Sequence, residues 1–255
     1  MLKIILYCKS YSGDLNRCIE LSKSINQYNK DNIPFYISVP KNEINLFKNK
    51  IPYYDEIIED ESVSNLNNGW VGQQYVKALF YKLGISKFYI NLDSDCYFFK
   101  NFYIKDFVGA NNIPYLVMHY RETFYEFVDK FDPRSIREVH EKRYDNIKNY
   151  FGRKGKTYHY GISPMVWDTE VWEQIDKDHN IDKLFKIYPN ELKWYGEAML
   201  YYKKPFMPTG PYFKEFHYDG QYWLYKDLGY TEEHFKKQYM GIVLQSNWNA
   251  PLKYD

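Results

Sequence analysis

The stretch Lys87-Phe-Tyr-Ile-Asn-Leu-Asp-Ser-Asp-Cys-Tyr-Phe-Phe99 constrains the fold of this chain more than any other, because an apolar run proceeds to two closing aspartates. Side chains alternate across an extended backbone, which puts Phe88, Ile90 and Leu92 on one face and Tyr89, Asn91, Asp93 and Asp95 on the other. A buried-type strand of this kind belongs inside an α/β sheet. Such sheets bind ligands beyond the carboxyl ends of their strands, where the strand order changes direction. Two carboxylates at that end are hard oxygen donors suited to Mg²⁺ or Mn²⁺ carrying a phosphate, so a nucleoside diphosphate is the implied ligand. An EF-hand calcium loop is excluded, since Phe98 and Ile104 stand where it needs Gly and Glu. A solvated turn closing a strand is the structural alternative.

Residues 2–8 read as a first buried strand and Phe35 to Val39 as a second, joined by a helix with Leu15, Cys18, Ile19, Ile25 and Tyr28 on its apolar stripe. This β-α-β opening sets a helix N-terminus beside the first strand's end, where free amides favour an anion. Lys9, Ser10 and Tyr11 in that turn are candidates to hold a base and ribose, and Arg17, one turn inward, to reach a phosphate. A helix expected from Trp70 to Leu83, stopped by Gly84, feeds the acidic strand; its Gln73 and Lys77 are candidates to line the same cleft.

Beyond the acidic pair, Tyr115 to His119 reads as a strand and Arg121 to Tyr150 as a polar helical region. That region and its flank carry Arg134, Arg137, Lys142, Arg143, Lys148, Arg153, Lys154 and Lys156 among Glu138, Glu141 and Asp145. Mixed signs favour a solvated face over a nucleic-acid stripe, with an anionic acceptor or membrane surface as the alternative. Tyr158 to Trp167 is strand-like and aromatic, and Asp168 is placed to cap the next helix. The segment Pro189 to Leu200 places Glu197 near the start of a helix, just after Trp194 and Tyr195; His217 sits in an aromatic turn.

With 255 residues and no Pro/Gly/Ser linker, one domain is expected, with a nucleotide-binding half over 1–110 and an acceptor-binding half over 111–255. A net charge of +1 argues against a nucleic-acid partner. Three dispersed cysteines without a Cys-x-x-Cys pair fit a reducing compartment without structural zinc. The N-terminal apolar run is too short for a signal peptide, and no run approaches the length of a spanning helix, so a cytoplasmic protein without a transmembrane segment is expected. Twenty-nine tyrosines suit carbohydrate stacking, although a codon bias that also enriches Lys, Asn and Ile accounts for them equally.

The Asp93-Ser-Asp95 motif closing a central strand, within a Rossmann-like first half and an aromatic second half, resembles the glycosyltransferases of the GT-A fold. The segments Gly69-Trp-Val-Gly-Gln-Gln, Asn91-Leu-Asp-Ser-Asp-Cys-Tyr-Phe, Trp194-Tyr-Gly-Glu and Gln245-Ser-Asn-Trp are similar to compact transferases of bacteria and large viruses, among them a viral rhamnosyltransferase domain. The resemblance implies a mixed, mostly parallel central sheet flanked by helices, with an elaborated C-terminal acceptor part. It implies a metal-dependent enzyme that moves a sugar from a nucleotide-sugar donor, by analogy a UDP-sugar, to a glycan acceptor such as a surface polysaccharide or glycoprotein glycan, with inversion. Asp95 would ligate Mn²⁺ or Mg²⁺, Asp93 would contact ribose or the metal shell, and His217, with His159 as alternative, would complete that shell. Glu197 would be the catalytic base, with Asp168 as the other carboxylate considered, and Trp167, Trp194 and Tyr195 the acceptor platform. A noncatalytic glycan-binding module would keep only the aromatic platform, and a metal-dependent phosphohydrolase only the aspartates.

Overall fold

A computed structural model describes residues 2–65, 69–120, 125 and 136–254. Its centre is a five-stranded sheet formed by β1 (Leu2–Lys9), β2 (Phe35–Val39), β3 (Glu56–Glu59), β4 (Ser86–Asp93) and β7 (Met165–Asp168), in the order β3-β2-β1-β4-β7. The first four are parallel, and β7 closes the edge antiparallel to β4. The fold is therefore α/β and Rossmann-like, with a mostly parallel sheet between helices.

The alternation expected of β4 decides its packing. Phe88, Ile90 and Leu92 enter one core with Ile4, Leu6 and Cys8 of β1, beneath α1 (Leu15–Tyr28). Tyr89 enters the opposite core with Ile5 and Tyr7, against α3 (Gly69–Leu79), α5 (Thr169–His179) and α7 (Glu191–Tyr201). Each large apolar side chain buried in this way contributes roughly 1.5–3 kcal/mol, which specifies register strongly on both faces. Tyr7 stacks on Phe80 at 3.8 Å, and its hydroxyl shares a hydrogen bond with Ser38 at 2.8 Å.

Several boundaries differ from expectation for local reasons. The α3 helix tightens to 3₁₀ geometry over Phe80–Leu83 and stops at Gly84, whose φ of 61° suits glycine. Short α2 (Ile44–Lys50) follows β2. The strand-like segment 158–167 forms a strand only from Met165, and the strand Gly241–Leu244 gives way to a 3₁₀ turn, Ser246–Trp248. The polar region yields α4 (Ile136–Tyr150); residues 121–124 and 126–135, Arg134 among them, and the side chain of Arg137 lie outside the described residues.

At Ser94–Asp95 the chain leaves the central sheet and turns into β5 (Cys96–Phe98), an edge of a second sheet with β10 (Gly241–Leu244) and β9 (Phe213–Phe216) in the order β5-β10-β9. A third pair joins β6 (Tyr115–Val117) to β8 (Met207–Thr209). The expected division at 110 is not a sheet boundary, because β7 completes the first sheet and β10 pairs with β5. Short α6 (Ile181–Ile187), α8 (Asp219–Asp227) and α9 (Glu232–Lys236) complete the described helices, of which none is long and apolar enough to cross a membrane.

Candidate functional site

Chain order reverses at β1: it proceeds outward through β2 and β3, then returns to the other side of β1 as β4. The carboxyl ends of β1 and β4, paired through Lys9 and Asp93, border a cleft of about 720 Å³. Lys9, Ser10 and Tyr11 reach it from β1, Gln73 and Lys77 from α3, Asp93 and Asp95 from β4 and its turn, and His217 from the turn after β9. The structure thus assembles eight of the residues that the sequence offers for a donor and metal site.

The cleft is strongly acidic. Asp14, Asp93 and Asp95 all line it, with Glu43 and Glu191. Asp95 is stapled to the second sheet, its Oδ2 accepting from the Ser246 amide at 3.0 Å and its carbonyl from the Leu244 amide at 2.9 Å. Its Oδ1 is shut off from solvent and has no hydrogen-bond partner in the protein. Burial, then the neighbouring Asp93 charge, pushes this carboxyl up to about 7. Asp14 is raised chiefly by burial, against a hydrogen bond from Ser94 at 3.1 Å.

Lys77 is 4% exposed and donates to Asp93 Oδ1 at 2.5 Å and to Glu191 Oε1 at 3.5 Å. Burial alone would lower its pKa, but Asp93 and Glu191 outweigh it and hold the ammonium charged. Glu191 is pushed up to about 7 by burial, against the Lys77 charge. The turn after β1 is also pre-empted in part: Glu43 accepts from the amide and hydroxyl of Ser12 at 2.6 and 2.7 Å, so that amide is not free for an anion. Gly13 lets the exposed Tyr11 ring lie across the turn, since a Cβ there would come within 2.4 Å of it.

A divalent ion fits this donor set in one way. Among the described residues no three His, Cys, Asp or Glu side chains come together as a ready-made metal shell. Mg²⁺ and Mn²⁺ need only one or two carboxylates when phosphate and water supply the rest, and the partnerless Asp95 oxygen beside Asp93 answers that need. His217 lines the cleft with Nδ1 3.2 Å from Glu215. His159 is remote from the cleft lining and pairs its Nε2 with the Tyr125 hydroxyl at 2.9 Å.

Five expectations are corrected. Arg17 does not reach the cleft, because its guanidinium donates to the Leu244 and Ala250 carbonyls at 3.0 and 2.6 Å. Trp167, Trp194 and Tyr195 are at most 1% exposed and pack in the core, so none can serve as an acceptor platform. Glu197 is fully buried away from the cleft, gripped by Arg153 at 2.5 and 2.8 Å, Tyr160 at 3.0 Å and Lys193 at 3.3 Å. Asp168, by contrast, caps α5 as expected, accepting from the Glu170 amide.

The reason for the Glu197 error is a capping residue. Asn190 accepts from the Lys193 amide at 2.8 Å and starts α7 at Glu191, which makes Glu191 the first-turn carboxylate and leaves Glu197 in mid-helix. The Pro189-Asn190-Glu191 signature carried that information. Trp70, 53% exposed at the start of α3, is the cleft's aromatic wall on this side, opposite Tyr11. No curated protein matches the chain. Over residues 1–234, however, its sequence fits the profile of DUF6492, and the chain belongs to that family, described as a family of unknown function.

Proposed function

We propose that this chain is a metal-dependent glycosyltransferase that moves a sugar from a nucleoside diphosphate donor, UDP by analogy, to a glycan acceptor. The observation that carries the reading is the buried, partnerless Asp95 oxygen beside Asp93 in a cleft at the sheet's switch point. Tyr11 offers a face for the base, with Ser10 and Lys9 at the adjoining strand end. Asp93 and Asp95 would hold Mn²⁺ or Mg²⁺, which, when bound, supplies a counter-charge to the departing diphosphate. Lys77 donates to Asp93 and fixes the orientation of its carboxylate.

The acceptor hydroxyl must lose its proton as the new bond forms, and a carboxylate near its operating pH serves best. Glu191 meets that requirement in place of Glu197, since it lines the cleft and titrates near 7. The test is a screen of nucleotide sugars with Mn²⁺, read as UDP release, with Asp95→Ala as control. Release that disappears in the variant supports the reading. Full activity in Asp95→Ala, or inorganic phosphate freed from simple esters without any sugar transfer, refutes it.

A further inference from the structure

Across Trp70 from the cleft lies a second pocket of about 450 Å³, and Trp70 is a wall of both. The remaining walls are Arg143 and Asn146 of α4, Ile187 at the end of α6, and Tyr188. Trp70 and Ile187 are 53% and 50% exposed, an uncovered apolar surface that borders a cation. The Arg143 guanidinium lies over the Tyr188 ring, 5.4 Å from its centre.

Arg143 differs from Lys148 and Arg153 of the same basic stretch by what it lacks. Lys148 pairs with Asp145 at 2.8 Å, and Arg153 is consumed by Glu197. Among the described residues Arg143 has no carboxylate partner, and the pocket lining contains no acidic residue. The adjoining cleft presents five carboxylates and takes an anion only together with a metal ion, so an anionic group without a metal is drawn to the Arg143 side of Trp70. An indole and a phenol ring offer stacking surfaces for a sugar, while a planar guanidinium beside an amide suits a carboxylate or phosphate.

We infer that this pocket is an acceptor subsite that takes a sugar ring carrying an anionic substituent, with Arg143 as the charge-recognising residue. The acceptor label rests on the transferase reading above; recognition of an anionic sugar does not.

The test is saturation-transfer NMR without nucleotide, using a hyaluronan tetrasaccharide for the carboxylate, phosphopentamannose for the phosphate and chitotetraose as the neutral probe. At least one charged probe should bind wild type, with the signal falling at least fivefold in Arg143→Gln, recovering in part in Arg143→Lys and vanishing in Trp70→Ala. The charged probe that responds identifies the anion. Unchanged thermal unfolding of Arg143→Gln, expected for an exposed residue, establishes that the loss is local. Equal binding of chitotetraose, no binding of either charged probe, or an unchanged signal in Arg143→Gln overturns the inference. Thermal stabilisation by UDP with Mn²⁺, measured on the same samples, separates the two claims. Its absence in wild type counts against the transferase reading, whereas its presence alongside a failed Arg143 result removes the subsite alone.

Discussion

Asp95→Asn should stabilise the metal-free protein at pH 8 while removing its response to manganese. The carboxyl moves from an ordinary value of 3.8 to about 7, through burial first and the Asp93 charge second. A carboxyl raised in this way binds its proton more tightly in the folded state. Its stabilising contribution is complete below the ordinary value and is lost as pH rises through about 7. Between pH 5 and pH 8 the loss spans roughly two pH units, or ~2.7 kcal/mol, and solvent contact at this half-buried residue reduces it to roughly 1–2 kcal/mol. Asparagine keeps the shape and still offers an oxygen to the Ser246 amide, but never ionises. In a chain of this size the difference in Tm between variant and wild type should therefore be about 3–6 °C more favourable to the variant at pH 8 than at pH 5. Differential scanning fluorimetry in EDTA reads this directly, and a repeat with Mn²⁺ should raise only the wild type at pH 8. An offset that is the same at both pH values would refute the electrostatic argument. An equal manganese response in the variant would refute the metal assignment.

Glu191→Gln should lower transfer by about 10²–10⁴ while leaving UDP-dependent thermal stabilisation intact. In wild type the transfer rate should rise with pH through about 7 as Glu191 and Asp95 ionise, which a pH-rate profile checks. Glu197→Gln should do the reverse, costing about 3–5 kcal/mol in urea unfolding because Arg153 and Lys193 lose their buried counter-charge, with turnover per folded molecule unchanged. Trp194→Ala should cost about 3–5 kcal/mol as a core truncation, whereas exposed Trp70→Ala should change stability by less than about 0.5 kcal/mol and still impair acceptor use. Gly196→Ala should give little folded protein in expression trials, because its Cβ would fall 1.9 Å from the Tyr160 ring that holds Glu197.

Legibility in the sequence followed the range of the interactions involved. The β-α-β opening, the faces of β4 and the convergence of Lys9, Gln73, Lys77, Asp93 and Asp95 follow from side-chain period and strand ends, which are local properties. Apart from Glu197, whose helix start the local Asn190 cap marks, what failed depended on partners distant in the chain. Arg17 is drawn from the cleft by carbonyls more than 220 residues away. Trp194 and Tyr195 share α7 with Lys193 and Glu197, and nearly the whole helix is buried, so its apolar period has no solvent face to reveal. Lys193 and Glu197 form an i,i+4 pair, a spacing common on solvated helix faces, although here both charges are desolvated together.

Two buried charge networks, around Glu197 and around the cleft, show how scaffold can be told from site. Around Glu197, both carboxylate oxygens accept bonds from cationic or hydroxyl donors, and the group is not part of the cleft lining. Such a carboxylate is supplied with donors within the protein and has no oxygen left for a ligand. Around the cleft, Lys77 is shared between Asp93 and Glu191, Asp14 adds a further buried carboxyl, and Asp95 has an oxygen with no partner. One ammonium cannot neutralise so many carboxylates, so the excess is relieved either by protons, which lifts Asp95 and Glu191 towards 7, or by a cation that enters from outside. Natural chains keep such imbalance where function requires it and remove it elsewhere. The imbalance, rather than the mere presence of aspartates, is the physical reason to place chemistry at this end of the sheet. It also explains why Glu191, which shares the imbalance, is a better base than Glu197, which does not.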